Sequence, residues 1–356
     1  MPGPVTVPVD ALERLIRDLF EAAGVSPEDA ATAAPVFVWA NLRGVDSHGL
    51  ARVPRYLELF ESGEANATPD ITVDSSTPGV VVIDADRAPG PVALTKAADV
   101  AIERARTQGI ALVAVRGTVH TGAIGYYTSR IADAGLVGLG LVAGMPNMAY
   151  EGAAGASVAT SPLAIAVPGS GAHPTVLLDM ATAVIALGKI AQFKRAGRLL
   201  PEGAAVTADG VPTTDPNEAK IPLPVGGAKG SGLSLMFELL TSVLVTAPIL
   251  TGFHGGAEGG RKHRQNATLI AIDPSALGSA EEFAANVDAT IETIQGLPVA
   301  PGSDRVIVPG QRGAETFAAR SDAGIPVGEK LWAELVEAAA GLGVAVPAAV
   351  STTQVG

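Results

Sequence analysis

From about Gly79 onward the chain is built from short apolar runs, rich in β-branched residues and separated by glycine, alanine and proline. Runs of this length fit strands buried within a sheet better than helices. Val80 to Ile83, Ala111 to Val115, Val137 to Val142, Ala164 to Val167, Val176 to Leu178 and Ala267 to Ile272 read as strands. Pro91 to Thr107 and Ala123 to Ala134 read as helices between them, and Gly232 to Val245 as a later apolar helix. The chain carries 42 glycines and 26 prolines with only 4% aromatic residues. They punctuate the apolar runs rather than gather in low-complexity tracts, so they read as tight turns, some of which let a ligand approach the backbone closely.

Both ends have helical periodicity instead. Leu12, Leu15, Ile16, Leu19 and Phe20 recur at helical spacing up to Gly24, and Ser26 followed by Pro27 caps a second helix running toward Leu42. Pro35 inside that helix predicts a kink or a division. A third helical stretch covers Ser47 to Phe60, and Leu331, Trp332, Leu335 and Val336 set the period of a last helix. The prediction is an α/β fold: a mixed-sheet core over residues 76–304 and a discontinuous helical domain from 1–75 together with 305–356. No repeat of 20 to 50 residues is present.

The net charge of −12, with cations scattered and no basic run, disfavours nucleic acid as a partner. The absence of cysteine excludes disulfides, thiolate zinc sites, Fe–S clusters and a thiol nucleophile. Residues Met1 to Asp10 lack the basic and apolar regions of an export signal. Apolar stretches such as Gly135 to Met145 are far shorter than a bilayer crossing requires. A soluble cytoplasmic protein without a membrane partner is therefore expected.

Five histidines allow each to be weighed. On a continuous helix His48, Arg52 and Tyr56 fall at i, i+4 and i+8 on one face, offering a proton donor, a carboxylate clamp and a phenolic hydrogen bond. The same spacing also suits a capping histidine and a surface arginine. His120 follows a strand and precedes Gly122 and Gly125, where an α/β sheet commonly holds its ligand; a turn histidine is the alternative. His173, His254 and His263 lie in Gly-rich loops without metal-ligand spacing, so they read as exposed, and no metal site is expected. Gly138-Leu139-Gly140 with Gly144 resembles a dinucleotide fingerprint but lies inside an apolar run, which favours a small-residue strand against a helix. Gly226 to Gly232, with Lys229 inside it, lacks the order of a Walker motif but suits an anion at the start of a helix opening near Leu233. A solvated hairpin fits it equally.

The segments 43–56 (RGVDSHGLARVPRY), 119–127 (VHTGAIGYY), 178–203 (LDMATAVIALGKIAQFKRAGRLLPEG), 208–216 (ADGVPTTDP) and 226–240 (GGAKGSGLSLMFELL) resemble, in order, the signature segments of the malate/L-lactate dehydrogenase family of the second, non-Rossmann type. The resemblance implies an NAD- or NADP-dependent oxidoreductase acting on a small 2-oxo or 2-hydroxy acid, or on a cyclic imino acid. It implies a homodimer with the active site near the subunit interface. By position, His48 and His120 match the proton-transfer histidines, and Ser47, Arg52, Tyr56 and Thr160 match substrate-binding residues. Gly122, Gly144, Asp179, Met180, Ala181, Lys229, Gly230, Gly310 and Gln311 match cofactor-binding positions. The departures cluster: Thr118-Val119-His120-Thr121-Gly122 lacks the family's aromatic ring, Ala143-Gly144 replaces a polar pair, and Tyr150-Glu151 and Ala159-Thr160-Ser161 also differ. A catalytically inactive, family-like homodimeric binding protein is the alternative reading.

Overall fold

The computed structural model describes residues 5–348 and 350–351. The strands are β1 (Val5–Val7), β2 (Thr72–Thr77), β3 (Val80–Asp84), β4 (Ile110–Thr118), β5 (Val137–Gly144), β6 (Met148–Ala149), β7 (Ala156–Val158), β8 (Leu163–Val167) and β9 (Val176–Met180). They continue with β10 (Ala205–Val206), β11 (Pro212–Thr213), β12 (Ile221–Pro222), β13 (Gln265–Ile272), β14 (Ile325–Val327) and β15 (Val350–Ser351). The helices are α1 (Val9–Ala22), α2 (Pro27–Leu42), α3 (Val53–Glu61), α4 (Gly90–Gln108), α5 (Gly125–Asp133) and α6 (Leu187–Arg195). After them come α7 (Ala228–Glu238), α8 (Leu250–His254), α9 (Ala280–Gln295), α10 (Gln311–Ala323) and α11 (Glu329–Leu342).

A seven-stranded mixed sheet of order β2-β3-β4-β13-β5-β8-β9 forms the centre. Only the β3–β4 pair among these is parallel. The strand bounds follow the β-branched runs of the sequence closely. Gly138 and Gly140 sit in β5 against Thr128 and Ile131 of α5, so the dinucleotide-like pattern is a small-residue strand packed on a helix. α4 and α5 cover one face, burying Ala93, Ala97, Ala101, Tyr127 and Ile131 with Val113 and Val115 of β4. α7 and the π-helical turn Leu239–Val243 that prolongs it cover the other.

A second core joins both ends of the chain. β1 lies between β14 and β15, and α1, α2, α3 and α11 bury Leu12, Leu15, Leu19, Phe20, Phe37, Tyr56 and Leu335 together. Phe20 meets Phe37, Tyr56 and Phe60 at ring-centroid distances of 5.4 to 6.0 Å. Removing one such ring typically costs about 3–5 kcal/mol. Ser26 caps α2, its Oγ accepting the Asp29 N–H at 3.1 Å. Pro35 does not divide α2, which is continuous from Pro27 to Leu42; buried residues surround the proline and hold the turn in place of the bond it cannot make.

The expected helix over Ser47 to Phe60 is broken. Asp46–His48 and Leu50–Arg52 are single 3₁₀ turns on either side of Gly49, and α3 starts only at Val53, with Pro54 in its first turn. Gly49 has ψ −136°, which no helix contains. The regular i, i+4, i+8 ladder of His48, Arg52 and Tyr56 therefore does not exist, and other contacts bring these residues together.

Candidate active site

The turn that carries His48 is held from both halves of the helical region. From α2, Asn41 Oδ1 accepts the Leu50 N–H and Asn41 Nδ2 donates to Asp46 Oδ1, both at 2.7 Å. From α10, Arg320 Nη1 donates to Asp46 Oδ1 at 2.7 Å and also to the Asn41 carbonyl. Arg52 Nε donates to the Ser47 carbonyl at 2.8 Å, which curls the turn and brings Ser47, His48 and Arg52 side by side. Ser47 Oγ lies 3.0 Å from His48 Nδ1. α6 closes against them: a Cβ on Gly188 would lie 2.9 Å from that of Ser47, so the first turn of α6 approaches only because glycine stands there.

His120 follows β4 and is fixed by its surroundings. Its carbonyl accepts the Gly90 N–H at 3.1 Å and the Tyr56 hydroxyl. The next residue is clamped twice, Thr121 N–H donating to Gln265 Oε1 at 2.8 Å and its carbonyl accepting Tyr127 OH at 2.7 Å. Gly122 N–H donates to His120 Nδ1 at 3.2 Å, and Tyr56 Oη lies 3.1 Å from the same nitrogen. With Nδ1 accepting, the neutral ring carries its proton on Nε2, which has no protein partner among the described hydrogen bonds. The rings of His48 and His120 stack at a centroid distance of 5.8 Å and an interplanar angle of 23°.

Electrostatics keeps both histidines neutral. Burial pushes His48 down to about 4, with the Arg52 guanidinium adding to the effect. Burial, then Arg52, His48 and His263, holds His120 well below the usual histidine range. Burial raises the Tyr56 hydroxyl, which remains a neutral hydrogen-bond donor.

The second group of predicted residues lies at the same end of the sheet. Asp179 lies one residue before the end of β9, beside α5, its Oδ2 accepting the Gly125 N–H at 3.0 Å. Surrounding protein raises its carboxyl to about 6 although the side chain stays open to solvent; the Gly125 N–H and Arg43 oppose the rise. Gly144 ends β5 opposite Gln265 of β13, and Thr160 N–H donates to Asn147 Oδ1 at 2.8 Å while its carbonyl accepts the Thr182 N–H at 3.0 Å. The turn 224–230 packs on this segment through Val225 N–H to the Thr182 carbonyl at 2.8 Å. Thr182 Oγ1 is buried there without a partner. Arg43 Nη2 donates to the Gly310 carbonyl at 2.9 Å, and Gly310, at φ +85°, packs so tightly on Leu177 of β9 that a Cβ would lie 2.9 Å from the leucine backbone. Gln311 is engaged within the protein, bonding Gln295, Val308 and Glu315.

Two readings of the sequence are corrected here. The 226–232 segment is not a loop ahead of a helix at Leu233, because α7 already begins at Ala228, and the N–H groups of Gly227, Lys229, Gly230 and Ser231 are taken by Pro224, Gly226, Val225 and Gly227 carbonyls. Gly230 packs so closely on the Thr182 carbonyl and the Val225 backbone that a Cβ there would lie 2.5 to 2.7 Å from them. The Lys229 side chain is exposed. The loop histidines also differ from expectation. His254 is exposed and bonded to the Ser157 carbonyl, but His173 is half-buried beside Glu292 and His263 is half-buried near Arg52. Sequence reasoning passed over Asn41, Arg320, Gly188 and Gln265, which hold the site from distant segments and carry no local signal.

Residues 7–336 match the family model described as malate/L-lactate dehydrogenase. The chain belongs to the malate/L-lactate dehydrogenase family. Relatives within it include L-sulfolactate dehydrogenase of Methanocaldococcus jannaschii, 36% identical over 91% of this chain and 94% of that protein. A solved structure of the sulfolactate dehydrogenase superposes with a TM-score of 0.86 over 96% of this chain and 98% of the other, at 35% identity. The NAD(+)-dependent ureidoglycolate dehydrogenase of Escherichia coli is 34% identical over 85% and 86%. A Δ1-pyrroline-2-carboxylate/Δ1-piperideine-2-carboxylate reductase of Pseudomonas putida is 34% identical over 85% and 89%. Among the described residues no helix of this family member is long and apolar enough to cross a membrane.

Proposed function

We propose that this dehydrogenase moves a hydride between NADH or NADPH and a small 2-oxo acid or cyclic imino acid, interconverting it with the 2-hydroxy or 2-amino acid. The observation that carries the reading is the convergence of Arg52, His48 and His120 on one place, with the His120 Nε2 making no hydrogen bond among the described residues. Arg52 grips the substrate carboxylate, because its fork matches two oxygens and its Nε is already anchored on Ser47. Ser47 and Thr160 border the same ligand, and Tyr56 sets the orientation of His120 from below. His120 serves as the acid/base at the substrate's C2 oxygen or nitrogen: in reduction the imidazolium gives up its Nε2 proton and the ring is left neutral with its other proton on Nδ1 beside the Tyr56 hydroxyl, in oxidation that tautomer takes the proton back, and His48 polarises the bond or relays the proton. Burial is the larger cause of the low proton affinity of both histidines and the Arg52 charge the second; a bound carboxylate neutralises that charge, so substrate arrival relieves this part of the lowering.

The residues also fit a nicotinamide cofactor. The buried Thr182 hydroxyl without a partner, the Asp179–Ala181 segment, Gly122, Gly144 and the exposed Lys229 of the turn 224–230 would hold it, with Gly230 and Gly310 placing the backbone around it. When bound, the nicotinamide supplies or accepts the hydride. Every other role stays with the protein: binding, orientation and proton movement.

A homodimer is part of the proposal. On α7 and its π-helical continuation Leu233, Met236, Leu240 and Leu244 are 39%, 48%, 41% and 61% exposed and share one face. An unbroken apolar stripe of this kind suits a second copy of the chain. Met236→Asp shifts the sedimenting species toward the monomer if this holds.

The decisive assay pairs NADH and NADPH with pyruvate, oxaloacetate, phenylpyruvate and piperideine-2-carboxylate, and with ureidoglycolate in the oxidative direction. Oxidation of the reduced cofactor only when one of these acids is present is the expected result. A protein that binds neither cofactor in a nicotinamide fluorescence titration is no dehydrogenase.

A further inference from the structure

The C-terminal end of α2 serves both groups of site residues. Asn41 holds the His48 turn, whereas Trp39 in the last turn and Arg43 at the cap reach α10 and β9. The Arg43 guanidinium is half-buried. Its carbon lies 5.2 Å from the Trp39 ring centroid, its Nη2 donates to the Gly310 carbonyl at 2.9 Å, and a Cβ on Gly313 of α10 would lie only 2.8 to 3.1 Å from it, so the helix approaches because glycine stands there. Both contacts lead to Asp179. Gly310 rests on Leu177, whose N–H donates to the Pro309 carbonyl at 3.1 Å, and Asp179 follows two residues along the same strand. Trp39 packs on Leu177 and meets the Tyr126 ring edge-on at 5.7 Å, next to the Gly125 N–H that Asp179 Oδ2 accepts. The strand that carries the carboxylate and the helix start that it bonds are thus both braced from Trp39 and Arg43. Among the described residues Arg43 forms no ion pair. A methionine or leucine would fill the space on Trp39 at a lower desolvation cost, so a cation at this position calls for a role beyond packing.

We propose that Arg43 is a positioning residue for cofactor binding: it clips the first turn of α10 onto β9 and so fixes the Asp179 carboxylate as a hydrogen-bond acceptor facing the cofactor. The inference rests on the cofactor site proposed above, and Arg43 itself touches no ligand. Its positive charge also limits the rise that burial imposes on the Asp179 carboxyl, so the acceptor stays ionised down to about pH 6. From α5 the Gly125 N–H works in the same direction, and α10 presents the uncharged backbone of Gly310.

Arg43→Met removes the charge and the clip while keeping a long apolar chain on Trp39. At about pH 8, titration of the reduced cofactor by nicotinamide fluorescence is expected to give a Kd raised by about tenfold, the loss lying in this Kd and not in kcat at saturating cofactor. On acidification the wild type should lose affinity below about pH 6, and Arg43→Met should lose it about one pH unit higher, because burial then acts on Asp179 unopposed by a cation. Arg43→Lys keeps the charge and should return the acid loss to its wild-type position, and Asp179→Asn should abolish it in every background. Arg43→Gln, neutral but still able to donate to the Gly310 carbonyl, should show the displaced acid loss with a smaller change in Kd, and it carries the test if the methionine variant does not fold. An unchanged Kd in Arg43→Met, or a weaker Kd whose pH dependence matches the wild type, overturns the assignment and leaves Arg43 a packing residue. A wild-type protein that binds neither NADH nor NADPH removes the cofactor reading and this inference together.

Discussion

The two halves of the site are built differently. Around His48 and His120 most supports are side-chain bonds, several of them made across long sequence distances: Arg320 on Asp46, Tyr56 on the His120 carbonyl and Gln265 on Thr121, with Asn41 on Asp46 and the Gly90 N–H on the His120 carbonyl besides. Around Asp179 and Lys229 the supports are mostly backbone, the turn 224–230 lying on Thr182 and Gly310 lying on Leu177. The first arrangement suits the proton transfer proposed for His48 and His120, because misplacement of the order of an ångström can cost about 100-fold in rate. The second presents a surface on which a large flexible ligand can lie, and leaves Lys229 exposed and Thr182 Oγ1 unpaired. Substitutions in the first half should therefore act on kcat or on the KM for the acid, and those in the second on cofactor affinity.

The largest effect tests that division at its centre. His120→Ala should lower kcat by about 100- to 10,000-fold, the usual share of a general acid/base, with the NADH Kd unchanged. An unaltered kcat would refute its proton role, and loss of NADH binding would show that the halves are not separable. Arg52→Met comes next, raising KM for the acid by about 100-fold, since a charge-assisted bidentate contact is lost. Arg320→Ala touches neither ligand. It removes the α10 grip on Asp46, and a fall of about tenfold in kcat with an unchanged KM would show that the distal helix positions His48. In the other half Lys229→Ala should weaken NADH binding by about tenfold and leave single-turnover chemistry at saturating cofactor alone.

Much of this was legible in the sequence for physical reasons. The strands could be read because burial in a sheet demands continuous β-branched runs, and β3, β4, β5, β8, β9 and β13 begin and end within a few residues of those runs. α1 could be read from the 3.6-residue recurrence of Leu12, Leu15, Ile16, Leu19 and Phe20. The local geometry of the His48 segment could not, because Gly49 and Pro54 break a helix whose side-chain spacing still looks regular. Nor could the supports of the site. Asp46 and Arg320 are 274 residues apart and meet where α10 packs on α2, in the region where β1 and β14 join the two ends of the chain. His263 shows the same limit from the other side: a glycine-rich neighbourhood predicts exposure, yet the pairing of Gln265 with β4 and β5 draws the residue inward.

The smallest effects are pH effects, and they follow from the neutral histidines of the first half. A base with a lowered pKa stays in its active, unprotonated form to lower pH, so kcat/KM for oxidation of a hydroxy acid should remain flat from pH 8 to below 6.5. Stability carries the opposite sign. His48 sits at about 4 in the folded protein against 6.5 for a free side chain, so between these values the unfolded chain binds the extra proton. Stability contributed by keeping the ring neutral is complete above about pH 6.5 and declines as pH falls toward 4. The melting temperature should therefore drop between pH 7 and 5, and by less in His48→Asn, which has no proton to gain. Nothing comparable should follow from Lys229→Ala, whose side chain is exposed. An equal acid slope in wild type, His48→Asn and Lys229→Ala would mean that the rigid half stores no electrostatic cost, and the contrast between the two halves would then be one of geometry alone.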